Sequence, residues 1–328
     1  MIRFNHIYIE EDAYNYPVTT KILEKFENSI QIKIQNYKHI FNRSNQNFQE
    51  QKTSAKLILA VKKDNFYYKG SNVVNNYGFD NFYYNTLILN CLYNCEYCYL
   101  QGMFNSGNIV VFVNLEDFFS ETKKLIKDKP TYLCISYETD ILAMEELIPY
   151  TSAWIEFARQ NPNLTIEIRT KSNKYNLIQH LEVCDNVILA WTISPPDIIK
   201  SYEDKTPVLN QRLKHIELAL CDGWKTRLCF DPILHVNNWK EIYSNFVDLV
   251  FSQISSEKIY DISLGTFRIN ADYLKKMKRL RTDSDILYYP FERSEQLKVY
   301  PESKVKEMIE FVTDKISQFY QKEKIYPT

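Results

Sequence analysis

The sequence has little of several features that define large classes of protein. No apolar run approaches the roughly 20 residues that a transmembrane helix needs, and the first residues show no signal-peptide pattern. Lysine and arginine together number 40 against 41 aspartates and glutamates, so no overall charge attracts nucleic acid. We therefore expect a cytoplasmic protein with no membrane partner, in which any DNA binding depends on a local basic patch.

Glycine is also scarce, with 6 residues in a chain of 328. Hydrophobic residues make up 45% and charged residues 25% of the chain, which are the proportions of an ordinary globular protein. This composition excludes a collagen-like, disordered or small disulfide-stapled protein. The length suffices for one barrel-sized domain with a smaller appendage.

From about residue 86, short apolar runs alternate with amphipathic helical patterns at spacings of roughly 25 to 35 residues. Strand–helix–strand units of this kind predict a parallel sheet, and their number favours a full or partial α/β barrel. The strand candidates are residues 86–89, 109–113, 132–135, 164–168, 187–193, 226–230 and 259–264.

Two smaller regions flank this pattern. Residues 1–83 read as a small N-terminal α/β region, with a short alternating strand and one helical stretch. Residues 301–328 contain a C-terminal amphipathic helix, whose apolar stripe runs from Val305 to Phe319. We therefore predict three parts: residues 1–83, a barrel over 84–300, and the helix over 301–328.

Three of the 7 cysteines form one tight group. Cys91, Cys95 and Cys98 have the spacing C-x3-C-x2-C directly after a predicted strand. Zinc sites normally use four ligands in two close pairs, and the sequence has no second pair. Three thiolates suit an iron–sulfur cluster that leaves one iron open. The alternatives are buried thiols or an incomplete zinc site.

This loop, followed by an α/β barrel, resembles the radical S-adenosylmethionine superfamily. The resemblance implies a partial TIM-type (β/α)6 barrel of the radical SAM kind. It also implies a [4Fe–4S] cluster held by Cys91, Cys95 and Cys98, with S-adenosylmethionine bound at the open iron. Reductive cleavage of this cofactor would give a 5′-deoxyadenosyl radical. Tyr97, between the last two cysteines, matches a common aromatic position of the superfamily.

Within the superfamily, the chain resembles the spore photoproduct lyase family over essentially its whole length. This implies a DNA-repair lyase that reverses the 5-thyminyl-5,6-dihydrothymine lesion of UV-damaged DNA by radical hydrogen abstraction. The segments that carry the resemblance are HIYIE (6–10), CEYCYLQ (95–101), SYETD (136–140), RTK (169–171), WTIS (191–194), FDPI (230–233) and LGTFR (264–268).

The resemblance also implies roles for individual residues. Thr139 and Lys171 follow predicted strands, where barrel enzymes build their sites, and would meet the polar end and the carboxylate of the cofactor. Tyr97 and Tyr99 would relay a hydrogen atom back to the cofactor radical. The implied cofactor-binding residues are Tyr99, Ser136, Thr139, Lys171, Thr192 and Ser194.

The main departure from the family concerns the hydrogen donor. The family carries a cysteine at the position of Tyr137, so either Tyr137 donates the hydrogen or the substrate radical meets another fate. Cys134 lies three residues earlier, which on a strand turns its side chain to the opposite face, and we expect it in the core. The departure favours an alternative: a diverged paralogue acting on another nucleotide, a peptide or a small metabolite.

Contacts with DNA are expected in two places. Arg268 would contact the lesion, and the stretch 288–300 matches the family's DNA-wedging hairpin while retaining Arg293 and Lys298. The basic run 275–281 could track phosphates, although a solvated helix face is an equal alternative.

A flavodoxin- or ferredoxin-type donor would supply electrons. A third hypothesis is a non-catalytic iron–sulfur or zinc protein that binds nucleic acid or another partner.

Overall fold

Two mainly parallel sheets form the framework of the computed structural model, which describes residues 3–70 and 75–327. The strands in these ranges are β1 (His6–Glu10), β2 (Ile30–Ile34), β3 (Leu57–Ala60), β4 (Tyr67–Lys69), β5 (Phe82–Asn85), β6 (Ile88–Leu89), β7 (Asn94–Cys95), β8 (Ile109–Phe112), β9 (Thr131–Cys134), β10 (Leu164–Thr170), β11 (Val187–Thr192), β12 (Glu203–Asp204), β13 (Lys225–Ile233), β14 (Asp261–Thr266), β15 (Arg268–Asn270), β16 (Glu292–Ser294), β17 (Leu297–Val299) and β18 (Ile325–Pro327).

Helices alternate with these strands through most of the chain. They are α1 (Pro17–Lys25), α2 (Lys38–Phe41), α3 (Phe48–Thr53), α4 (Leu100–Met103), α5 (Leu115–Leu125), α6 (Tyr150–Arg159), α7 (Pro196–Tyr202), α8 (Leu209–Asp222), α9 (Trp239–Gln253), α10 (Ala271–Leu280) and α11 (Glu302–Ile316). None of the helices in the described ranges is both long and apolar enough to cross a membrane.

The first sheet has the strand order β2-β1-β3-β8-β6. The expectation that residues 109–113 form a barrel strand was wrong. They contain β8, which pairs in parallel with β3 in the first sheet. β6, which lies within the predicted barrel strand 86–89, pairs antiparallel with β8, so this strand also belongs to the first sheet and not to the barrel. Apolarity alone could not assign these strands to a sheet, since a buried strand reads the same in either one. The pairing extends this sheet beyond residue 83, and the three-part domain division stays a prediction.

The second sheet has the order β18-β14-β13-β11-β10-β9-β5-β4. Strands β9, β10, β11, β13 and β14 coincide with the predicted barrel strands and pair in parallel. The terminal strand β18, which follows α11, extends the sheet beside β14 and was not predicted. The predicted stripe on α11 is buried at Met308, Val312 and Ile316, but Phe319 lies beyond the helix and is 40% exposed.

Alternation along the strands divides this second sheet into two faces. Leu133, Ile166 and Ile168 join the main apolar core. The opposite face carries a buried ionic group, in which the Arg227 guanidinium donates to Glu167 at 2.6 Å and to Asp261 at 2.7 Å. We call this polar face, opposite the apolar core, the inner face of the second sheet. Because Arg227, Glu167 and Asp261 are paired with one another, the inner face can be polar without unpaired ions.

Candidate active site and cluster loop

The loop with the three cysteines begins where β6 ends. Asn90 adopts a positive φ of 68°, and its side-chain amide donates to the carbonyls of Ser106 at 2.7 Å and Asn108 at 2.6 Å. Farther along, β7 pairs with β12, with Cys95 opposite Glu203. The loop is thus fixed at both ends by backbone and amide contacts rather than by the cysteines themselves.

Cys91, Cys95 and Cys98 line one cavity together with Phe48 and Lys52. No three metal-ligating side chains in the described ranges come together closely enough to hold a single metal ion. Three cysteines around one cavity are a ligand set that an iron–sulfur cluster can use.

Burial changes the proton affinity of these thiols. It raises the pKa of Cys91 to about 11, and the nearby Asp140 carboxylate adds to this increase. It also raises the pKa of Cys95. Ligation therefore has to displace protons, as thiolate ligation to metals generally does. The Tyr99 hydroxyl donates to the Tyr137 carbonyl at 2.8 Å, so the loop after β9 lies beside the cluster loop.

The loop after β9 contains a polar atom without a partner. Thr139 is buried, and its Oγ1 has no hydrogen-bond partner within the described residues. Ser136 Oγ, by contrast, accepts from the Arg169 backbone N–H at 2.6 Å. An unsatisfied buried hydroxyl is costly, so Thr139 fits a site where a bound molecule completes its hydrogen bonding. S-adenosylmethionine, which has several polar groups, matches this requirement.

Lys171 lies next to Tyr97, with its ammonium 5.4 Å from the ring centroid. Burial by itself lowers the pKa of Lys171, but the neighbouring Cys95 and Glu203 outweigh this effect and raise the pKa overall. A partly buried cation here is suited to an anionic cofactor group. Lys171 therefore lies close to the cluster loop, and its contact with the cofactor stays a prediction.

A buried carboxylate that the sequence did not reveal organises the predicted hydroxyl residues. Glu203 accepts a hydrogen bond from Tyr97 and another from Ser194 at 2.8 Å. It is ion-paired with Arg212, and both side chains are fully buried. Arg212 also donates to the Thr192 carbonyl at 3.1 Å. No local motif marks Glu203 or Arg212, because their partners come from distant segments.

The tyrosines group around Tyr137. Its ring stacks on Tyr84 at a centroid distance of 4.3 Å, and the Tyr99 hydroxyl donates to the Tyr137 carbonyl at 2.8 Å. Tyr137 also packs against the small apolar cluster that contains Cys134. Cys134 is buried, as expected, but its placement on the opposite face was wrong. The strand ends at Cys134, so strict alternation does not extend to Tyr137.

Arg268 lies over the inner face of the second sheet. Its guanidinium donates to both oxygens of Asp231, at 3.1 and 3.3 Å. Arg169 approaches the same carboxylate at 3.6 Å and Glu167 at 3.2 Å. Two arginines thus share Asp231 beside Tyr137, whose pKa both cations lower against the effect of burial.

Residues 292–299 form a β-hairpin, in which β16 and β17 pair antiparallel and Arg293 lies opposite Lys298. Its turn uses Glu295 at a φ of 52°, where glycine is the usual choice. Arg293 is exposed. The second predicted element, the basic run 275–281, lies on α10 and its C-terminal end.

Part of this basic run is used inside the protein. Arg281 donates to the Asn94 carbonyl at 3.0 Å and to the Gln101 side chain at 2.8 Å, and Lys276 donates to Asn105 at 2.9 Å. Lys275 and Arg279 remain exposed. The run therefore divides into cations that anchor α10 to the cluster loop and cations that face solvent.

Comparison with known proteins identifies the family of this chain. A family model described as spore photoproduct lyase matches residues 3–327. The chain belongs to the spore photoproduct lyase family. The spore photoproduct lyase of Clostridium acetobutylicum is 23% identical over 97% of both chains, and that of Bacillus subtilis is 23% identical over 84% of this chain and 80% of its own length.

Solved structures of the family have the same fold. A spore photoproduct lyase mutant with dinucleoside spore photoproduct superposes with a TM-score of 0.85 at 18% identity, covering 99% of this chain and 98% of that one. A second mutant, with bound AdoMet and the same dinucleoside, gives a TM-score of 0.84 at 18% identity, covering 99% and 98% of the two chains. The predicted family, barrel type and radical SAM lyase class are confirmed, whereas the roles of single residues stay predictions.

Proposed function

We propose that this protein is a radical S-adenosylmethionine enzyme that reverses the 5-thyminyl-5,6-dihydrothymine lesion in UV-damaged DNA. Membership of the spore photoproduct lyase family supports the activity. The observation that carries it in this chain is the cavity shared by Cys91, Cys95 and Cys98. The unsatisfied hydroxyl of Thr139 in the loop after β9 adds to it. One relative binds both AdoMet and dinucleoside spore photoproduct.

In this proposal the cluster loop and the strand ends hold the two cofactors. Cys91, Cys95 and Cys98 ligate a [4Fe–4S] cluster, and Thr139 and Lys171 bind S-adenosylmethionine. Together these groups supply a 5′-deoxyadenosyl radical once an electron arrives from a flavodoxin- or ferredoxin-type donor. The protein's part is to orient the lesion and to exclude water.

The inner face of the second sheet would orient the lesion. Arg268 and Arg169 are held by one carboxylate, Asp231, so their guanidinium groups are positioned before a substrate enters. Such preorganisation lowers the entropic cost of binding. A guanidinium fork is suited to phosphate oxygens and to pyrimidine carbonyls.

Two groups near this face can return a hydrogen atom to the substrate. Burial raises the pKa of Tyr137 and raises that of Cys134 well above its usual range, so both groups keep their hydrogen at neutral pH. Tyr137 occupies the position of the family's donor. Cys134 lies in the apolar cluster against which Tyr137 packs, which makes it a second candidate.

The activity is tested anaerobically. The reconstituted protein is mixed with dithionite, S-adenosylmethionine and a dinucleotide carrying the lesion, and 5′-deoxyadenosine and thymine are measured. Thymine release that depends on S-adenosylmethionine would establish the activity. Deoxyadenosine without thymine release would overturn the proposed substrate while leaving the radical chemistry in place.

The donor is identified with two matched variants. If Tyr137 donates, Tyr137→Phe should divert product from thymine toward radical adducts, because the ring remains and only the O–H is lost. Cys134→Ala should then leave clean repair unchanged. The reverse pattern would assign the role to Cys134, and clean repair by both single variants would reject both residues as the sole donor.

A further inference from the structure

Helix α3 of the N-terminal region lies directly over the cluster loop. Phe48 and Lys52, four residues apart and therefore on one helical face, line the cavity of the three cysteines. Gly107 packs so closely beneath the helix that a Cβ there would lie 2.5 Å from the Phe48 carbonyl oxygen. The helix is thus held in place over the candidate cluster site.

Lys52 is the unusual residue of this helix. It is only 7% exposed, and its ammonium donates to the Cys91 carbonyl. In the part of the chain that the structure describes, no carboxylate forms an ion pair with it. A buried ammonium without a counter-charge is expensive, and a negative charge in the cavity would offset that cost.

Neighbouring charges do not supply that compensation. Glu203 is already paired with Arg212, and Glu96 lies 3.9 Å from Arg281. Lys205 donates to the Lys52 carbonyl, which adds a second cation on the same side. Asp140, which lies near Cys91, accepts hydrogen bonds from Thr170 and from the Lys171 backbone N–H rather than from Lys52. The three thiolates that would hold the cluster are a further source of negative charge, and they line the same cavity as Lys52.

We propose that Lys52 raises the reduction potential of the bound cluster by placing a buried positive charge beside Cys91. A one-electron reduction makes the cluster more negative, and a nearby cation stabilises the reduced state more than the oxidised state. Net charge and local polarity are among the main determinants of such potentials. The inference depends on the cluster part of the proposed function but not on the substrate.

The test is a potentiometric titration of the anaerobically reconstituted protein, with the reduced cluster followed by electron paramagnetic resonance. Lys52→Met, which keeps the volume and removes the charge, should lower the midpoint potential, whereas Lys52→Arg should keep it near the wild-type value. Lys33→Met is the control, because Lys33 is an exposed lysine of the same region that pairs with Glu11. Iron content and circular dichroism are measured for each variant.

An unchanged potential in a fully loaded Lys52→Met protein would overturn the inference. If that variant does not fold, Lys52→Gln replaces it, since its amide can still donate to the Cys91 carbonyl without carrying charge. The same downward shift is then expected, and no shift again rejects the role of Lys52. Wild-type protein that takes up no iron would instead contradict the proposed cluster.

Discussion

Buried charges near the site differ in how they are compensated. Glu203 is balanced by Arg212, and Glu167 by Arg227. Glu138, which follows Tyr137 in the chain, is 5% exposed and has a carboxylate oxygen without a hydrogen-bond partner within the described residues. Burial accordingly raises its pKa from 4.5 to about 7. A carboxyl group of this kind destabilises the folded state whenever it is ionised.

This predicts a pH-dependent stability. The folded protein holds the Glu138 proton more tightly than the unfolded protein does. The protonated Glu138 therefore adds to the free energy of unfolding; this contribution is fully present below about pH 4.5 and is lost as the pH rises through about 7. The loss amounts to up to about 3 kcal/mol. Glu138→Gln should remove this decrease, which urea denaturation at pH 5 and pH 8 would measure.

The matched control is Glu310→Gln, because Glu310 is exposed on α11. It should leave the pH dependence of the wild-type protein unchanged. A Glu138→Gln protein that loses stability between pH 5 and pH 8 as steeply as the wild type would contradict the assignment.

At the scale of elements, α10 connects the basic surface with the cluster loop. Gly102 of α4 packs against Tyr273 so tightly that a Cβ would lie 2.5 Å from the Tyr273 Cβ. Arg281 adds contacts with Asn94 and Gln101. An α10 that is fixed in this way keeps Lys275 and Arg279 at a constant position relative to the cluster.

The hairpin places two like charges directly opposite each other. Arg293 and Lys298 are cross-strand neighbours, an arrangement that is unfavourable in isolation. A phosphate between them would remove the repulsion. We predict that Arg293→Gln combined with Lys298→Gln weakens duplex DNA binding and reduces the slope of log affinity against log salt by about 1.8.

Fluorescence anisotropy at several salt concentrations measures this slope. Lys306→Gln is the control, because Lys306 is an exposed lysine of α11, and it should leave the slope unchanged. Equal slopes for the wild type and the double variant would show that the hairpin does not contact phosphates.

At the scale of the whole molecule, the two sheets share one core. Ile7, Leu57 and Val110 of the first sheet belong to the same apolar cluster as Ile166 and Trp191 of the second. The interface between the sheets is therefore continuous and apolar, unlike the more polar contacts that separate independent domains.

This continuity predicts a single unfolding transition. All 4 tryptophans lie after residue 150, so tryptophan fluorescence reports on the second sheet, whereas far-ultraviolet circular dichroism reports on both. The two thermal transitions should coincide. An earlier transition seen only by circular dichroism would mean that the first sheet unfolds alone, which is the behaviour that a separate domain over residues 1–83 would show.

Local sequence patterns predicted the cluster loop and most strands of the second sheet. The spacing of Cys91, Cys95 and Cys98 indicated a cluster loop, and apolar periodicity located most strands of the second sheet. Both are properties of short segments, in which spacing along the chain determines which side chains share a face. The resemblance to the family added the catalytic class, which no local pattern contains.

Tertiary structure alone decided which distant residues complete the site. Glu203 and Arg212 meet Tyr97 and Ser194 only because β12 pairs with β7, and Lys52 reaches Cys91 because α3 packs over the cluster loop. The sequence by itself determined the reactive groups and most of the strands that carry them. It did not determine the sheet to which β8 belongs or the charges that surround the cluster, because both depend on contacts between segments far apart in the chain.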